Sequence, residues 1–156
     1  GLVGSEMCIR DRTLRKYTDR YIVVRTHSGM GHPTAEEDIE KLYKAKDEIK
    51  DFDIHSPRNN YPNLIEEVRD SYAVVVFTSS SGAPAIIEGK ALFVTHPTGY
   101  LTPMNAGKIE DIENPNYDLD RDKFLHGLGE SHWTLAQIEK GDYFRKFLER
   151  QKWLEQ

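Results

Sequence analysis

Four consecutive hydroxyl residues, Thr78-Ser79-Ser80-Ser81, run into Gly82. Hydroxyls and backbone amides gathered where a strand gives way to a helix can hydrogen-bond the oxygens of a mono- or diphosphate. The helix dipole adds about 0.3–1 kcal/mol for a negative charge there. The same serines can equally serve as N-caps. His27, in Thr26-His27-Ser28-Gly29-Met30-Gly31-His32-Pro33, can donate to a phosphate, lie near a base, or stand as an ordinary surface histidine. Arg25 can turn its guanidinium to a phosphate or pair with a carboxylate. His96, in Thr95-His96-Pro97-Thr98-Gly99-Tyr100, follows another apolar strand and can share the same cleft. Glu88 can meet a ribose diol or simply end a helix in solvent. His27 and His32 have no acidic ligand patterned around them and are separated by two glycines, so no metal site is expected. His126 and His132 flank a helix end and read as structural or exposed. No Ser-His-Asp spacing emerges, and the Gly82 turn is neither a nucleophile elbow nor a P-loop.

These residues need a frame that brings strand ends together. Tyr21-Ile22-Val23-Val24-Arg25 predicts a strand running into the His27 loop. Thr34, with Glu37 three residues on, has the form of a capping box, and a helix is expected to about Lys50 with Ile39, Leu42, Tyr43 and Ile49 buried. Asp51-Phe52-Asp53-Ile54-His55 alternates as a brief strand. A Pro/Asn loop follows, then a helix with Leu64, Ile65 and Val68 inward. Val74-Val75-Val76-Phe77 has buried-strand length. Ala83-Pro84-Ala85-Ile86-Ile87-Glu88 predicts a short helix, with Pro84 in its first turn and Gly89 at C′. The next strand is Ala91-Leu92-Phe93-Val94. Residues 101–118 read as loop-rich. Helices are expected over Asp120–Gly129, with Phe124 and Leu125 inward, and over Asp142–Leu154, with a capped Trp133–Glu139 turn between them. Strands alternating with helices predict an α/β protein with a parallel sheet, whose ligands sit beyond the strand C-termini.

With 156 residues, 38% hydrophobic and 30% charged, the chain reads as one soluble domain. No apolar run reaches the roughly 18 residues of a membrane span, so no transmembrane segment is expected. A net charge of −5 without a basic block argues against nucleic acid. The lone cysteine, Cys8, gives no disulfide framework, and a reducing cytoplasm is the expected compartment. Residues 1–12 resemble a translated sequencing-adaptor read-through of the kind found at the head of metagenomic reading frames. They are expected to be non-native or disordered, with the natural chain beginning further upstream, and residues 13–156 are read as the domain.

Two segments together resemble a known family. Val23-Val24-Arg25-Thr26-His27-Ser28-Gly29 is similar to the strand followed by R-P-H-P-G in GT-B-type glycosyltransferases. The relevant branch holds capsular polysaccharide (Kdo-transferase-like) enzymes, bacterial sialyltransferases and relatives encoded by marine phages. Residues 74–94 are similar to that family's strand followed by N/T-S-S-x-G-x-x-A-x-x-x-G-K-P-V-F. The resemblance covers residues 13–156. It implies a Rossmann-like parallel sheet with helices on both faces, the C-terminal half of a GT-B fold whose N-terminal acceptor domain is missing here.

It also implies that His27 and Ser79/Ser80 hold the phosphate of a nucleotide-sugar donor, with a CMP-sugar favoured over a UDP-sugar. By the same resemblance Gly82 would let the backbone approach the ligand, and Ser81, Arg25 and His96, read from their places at strand ends, are expected to share the site. Sugar would pass to a glycan acceptor hydroxyl without a bound metal or other cofactor. No catalytic base is assigned. The sequence departs from the family pattern at Thr26 and Ser28, where both prolines are replaced. It departs again at Pro84, where many members carry a ribose-binding Glu, and at Lys90-Ala91 in place of Lys-Pro. The same architecture serves nucleotide-sugar 2-epimerases. A non-catalytic sugar-nucleotide or glycan-binding module is the other reading, alongside a structural domain whose serines only cap a helix.

Overall fold

The computed structural model describes residues 12–26, 33–57, 59–77 and 82–131. The chain divides into two compact units, Gly1–Leu119 and Asp120–Gln156. The first is mixed α/β: β1 (Ile22–Arg25), α1 (Pro33–Glu48), β2 (Phe52–His55), α2 (Leu64–Asp70), β3 (Ala73–Val76), α3 (Ala83–Ile87) and β4 (Ala91–Val94). Two 3-10 turns follow, Thr102–Met104 and Ile109–Asp111.

β1 pairs in parallel with β2, from Ile22 opposite Phe52 to Arg25 opposite His55. β3 pairs in parallel with β4, from Ala73 opposite Ala91 to Val76 opposite Val94. Among the described residues these are two separate two-stranded ladders, not the single continuous sheet that strand–helix alternation led us to expect. One core nevertheless joins them: Ile22, Val24, Phe52 and Ile54 from the first ladder belong to the same buried cluster as Ala91 and Phe93 from the second. Leu42 and Ala45 of α1 join it, with Leu14, Ile49, Ala106 and Ile112, and each fully buried Leu, Ile or Phe contributes about 1.5–3 kcal/mol through loss of apolar surface to water.

All four residues of β4 are buried. β3 covers one edge, and Asn105 closes the other. Its Oδ1 accepts the Val94 amide at 3.0 Å, and the Ala106 amide donates to the Leu92 carbonyl at 2.7 Å. A short parallel bridge at Asn105 and its side-chain oxygen together do the work of a neighbouring strand, since a buried edge must satisfy its backbone groups.

Several local expectations shift. α1 begins at Pro33, so Thr34 lies inside the first turn rather than at the cap. Its buried stripe is Ile39, Leu42, Ala45 and Ile49, whereas Tyr43 is exposed; steps of three, three and four follow the helical repeat and rotate Tyr43 out to solvent. In α2 only Val68 is fully buried and Ile65 faces solvent. Asn63 caps that helix, accepting the Ile65 amide on Oδ1 at 2.9 Å.

β3 stops at Val76, leaving Phe77 beyond the strand and 41% exposed. Gly89 does close α3, at a φ of +69°. Its amide donates to Ile86 at 3.2 Å and that of Lys90 to Ala85 at 2.8 Å, the pairing of a Schellman motif, which needs a left-handed residue there. Asp51, between α1 and β2, also has a positive φ, +53°. Its carbonyl accepts the Ile22 amide at 2.9 Å and so starts the first ladder.

In the second unit α4 spans Arg121–Ser131. Asp120 caps it, with Oδ1 accepting the Lys123 amide at 3.1 Å, and Phe124 and Leu125 are half-buried. The expected Trp133–Glu139 turn and Asp142–Leu154 helix lie outside the described residues. Among the described residues no helix is long and apolar enough to cross a membrane.

Candidate functional site

Parallel pairing in both ladders puts Arg25 and His55 at one pair of strand C-termini, and Val76 and Val94 at the other. Of the residues read from sequence as ligand-holding, Arg25, Gly82 and His96 are described; His27, Ser79, Ser80 and Ser81 lie outside the described residues.

Arg25 is engaged within the protein. Its Nη1 donates to Glu67 Oε2 at 2.7 Å and to the Pro62 carbonyl at 2.8 Å, and its guanidinium stacks 4.0 Å from the Tyr61 ring centroid. Tyr61 in turn donates from its hydroxyl to the Thr26 carbonyl at 2.9 Å. The second oxygen of Glu67 meets His55 Nδ1. The side chains of Arg25, Glu67 and His55 are exposed by only 21%, 18% and 13%. Of the two roles open to Arg25, the carboxylate pair is the one present. Charged groups this far out of water are stable when each has a partner.

The chain of charge continues along the polar face of β2. Asp53 Oδ2 lies 4.0 Å from His55 Nε2, and Asp53 Oδ1 accepts from Lys46 at 2.7 Å and from the Ile54 amide at 2.8 Å. The Lys46 hydrogen bond, helped by the Ile54 amide, holds the Asp53 carboxyl below its usual range, and the same bond raises the Lys46 ammonium. Period-two alternation already put Asp53 and His55 on one face of the strand. Glu67 and Tyr61 carried no such signal, because their partner lies about forty residues away along the chain.

Around β3 and β4 the arrangement is different. The ladder continues past the strands: Thr95 donates to Val76 at 2.9 Å and His96 to Phe77 at 3.3 Å. The His96 and Phe77 rings meet edge to face, 4.7 Å between centroids at 82°. His96 Nδ1 lies 2.7 Å from the Thr98 carbonyl oxygen and 3.2 Å from its amide, which anchors the imidazole in its own loop. His96 therefore stands beside the residue that immediately precedes Thr78.

Gly82 occupies the cap position of α3, so the helix is not capped there by a side chain. A Cβ on Gly82 would stand 2.8 Å from Leu101 Cδ1, 3.1 Å from Leu92 Cδ1 and 3.3 Å from Val76 Cγ2. Close packing on the core alone demands glycine here, at an ordinary negative φ. Glu88, considered for a ribose, accepts from Arg69 Nε at 2.9 Å, and that bond lowers its carboxyl pKa. The pair ties the end of α3 to α2.

An open cleft of about 540 Å³ lies elsewhere, lined by residues 15–20 and Glu113. It precedes β1, at the opposite end of the strand from the sites above. Two of its charged groups pair with each other: Thr18 and Arg20 hydrogen-bond Glu113 and lower its pKa, and the Arg20 guanidinium lies 3.5 Å from the Tyr72 ring centroid. Parallel α/β proteins bind ligands at the carboxyl ends of strands, so we read this cleft as structural. Among the described residues no group of three or more His, Cys, Asp or Glu is placed to hold a metal ion. No protein family, curated protein or solved structure matches the chain.

Proposed function

We propose that this protein binds a nucleotide-sugar through its phosphate at the turn between β3 and α3, as the donor-binding half of a GT-B-type glycosyltransferase. The observation that carries the reading is the parallel β3–α3–β4 unit. In such a unit the hydroxyl run 78–81 leaves from a strand C-terminus, the end at which α/β folds hold anionic ligands. The cap position of α3 is the glycine itself, with no side-chain hydrogen bond to the helix. His96 adds a ring nitrogen at the same strand end. Transfer of the sugar to an acceptor hydroxyl would leave negative charge on the departing phosphate, which hydrogen bonds from hydroxyls and amides would stabilise. The acceptor and the catalytic base would come from a partner domain.

Titration of the purified chain with CMP, UDP and inorganic phosphate tests this. Binding that a Ser79→Ala/Ser80→Ala double variant loses is the expected result. A folded chain that binds none of the three would leave the serines a purely structural role.

A further inference from the structure

β3 is the odd strand in this core. Ala73-Val74-Val75-Val76 has no polar residue, the composition of a central strand covered on both faces. Yet Ala73, Val74 and Val75 are only half-buried, while all of β4 is buried. β1 shows the same mismatch at Val23, which is 38% exposed in the middle of an apolar run. Exposed sheet edges are ordinarily guarded by lysine, proline or a bulge. These two strands carry no lysine or proline, and their one charge, on Arg25, is spent on Glu67.

The backbones agree with the side chains. Along a strand the N–H and C=O of one residue point to one side and those of the next residue to the other. Ile22 and Thr26 donate to Asp51 and His55, so Val23 and Arg25 turn their amides away from β2. Val76 accepts from Thr95, so Ala73 and Val75 turn theirs away from β4. Among the described residues neither of these edges has a ladder partner, and β1 does not run alongside β3. Both edges nonetheless border one core, where Ala73 and Val75 pack against the cluster that holds Ile22 and Val24. Just before the two strands, the Arg20 side chain reaches across to stack on Tyr72.

We propose that β1 and β3 flank a slot for one more strand, an extended apolar segment of a further polypeptide that joins the two ladders into one sheet. Such a strand sits about 4.8 Å from each neighbour, and a contact made by two side chains as long as Arg20 and Tyr72 can bridge that width. Only an extended backbone offers donors and acceptors to both edges at once, and β-branched side chains on it would cover the exposed flanks of Val23, Val74 and Val75. Both existing ladders are parallel, so the added strand runs parallel to them. The slot stands whatever the strand ends bind.

Amide hydrogen exchange, read residue by residue by NMR, tests this with a Lys-flanked Val-Ile-Val-Ile-Val peptide as the added strand. In the chain alone the Ile22, Thr26 and Thr95 amides should be protected and those of Val23 and Val75 unprotected. Saturating peptide should slow Val23 and Val75 together by about tenfold or more, as open amides enter a ladder. A peptide with proline at its centre, which cannot donate to a ladder there, should slow neither. Protection of Val23 and Val75 in the chain alone would mean that the edges are already paired, with each other or with a second copy, and would overturn the slot. So would a peptide that slows only one of the two amides, slows neither, or acts as well with the proline as without it.

Discussion

The two strand ends of the first unit solve opposite problems. Beyond β1 and β2, Arg25, Glu67 and His55 are mostly buried and hydrogen-bonded to one another, with Tyr61 and Pro62 completing the shell around the guanidinium. Beyond β3 and β4 the exposed group is an apolar ring braced by a histidine, and the chain leads directly into four hydroxyl residues. The first end has exchanged water for internal partners. Drawing Arg25 away to a ligand would leave Glu67 without its cationic partner in a poorly hydrated place. At the second end a ligand would cover a ring that now meets water. The comparison teaches that a cationic residue at a strand end is not by itself an anion site; what matters is whether its hydrogen bonds are already spent.

The sharpest way to break this comparison is to remove the shared carboxylate. Glu67→Ala leaves Arg25 and His55 without their partner. For fully buried pairs such losses reach about 3–5 kcal/mol, and with about a fifth of these side chains exposed roughly 2 kcal/mol is expected. Urea denaturation would read this as a lower midpoint at constant slope. Arg25→Ala should cost a similar amount, and the double variant clearly less than the sum. Additive losses would show that the two residues do not act as a unit.

On the other side, Gly82→Ala tests packing at the start of α3. The added methyl must displace the buried Leu101, Leu92 or Val76 side chains, at about 1–3 kcal/mol. Phe77→Leu, a few residues earlier, should stay within about 0.5 kcal/mol of wild type because that side chain is exposed. A large loss at Phe77 would mean that the ring is structural and would erase the contrast.

Asn63→Ala is a smaller probe of the β1/β2 end. It removes the cap of the helix that carries Glu67 and should cost about 1 kcal/mol.

The smallest effect is the pH dependence. The lowered carboxyl pKa values of Asp53, Glu88 and Glu113 mean that each contributes stability above the ordinary carboxylate range. That contribution is lost as pH falls through the lowered values, below about pH 4. For Lys46 the pKa is raised, so its contribution is present below the ordinary lysine value and is lost as pH climbs past the raised one. Asp53→Asn should therefore flatten both the acid and the alkaline limb of a stability–pH curve, because it removes both members' shifts at once. A curve whose limbs are unchanged would show that the Lys46 contact adds nothing in solution.

Local chemistry alone decided a good deal about this protein. β-branched runs, a proline tolerated in a first turn and a glycine needing a left-handed φ made β1, α3, its Gly89 stop and β4 readable, because each depends on residues within a few positions. The alternating Phe52–His55 segment also declared which of its side chains share a face. Three things were decided only by tertiary structure. Arg25 found its carboxylate on a helix whose sequence carries no mark of that contact. Asn105 and Ala106 closed the edge of β4 with a side-chain oxygen and a backbone amide, in a stretch legible only as loop. The strands formed two ladders around one core instead of one sheet. Each depends on which distant surfaces meet, and burial and hydrogen-bond satisfaction, which the order of residues does not express, select among them.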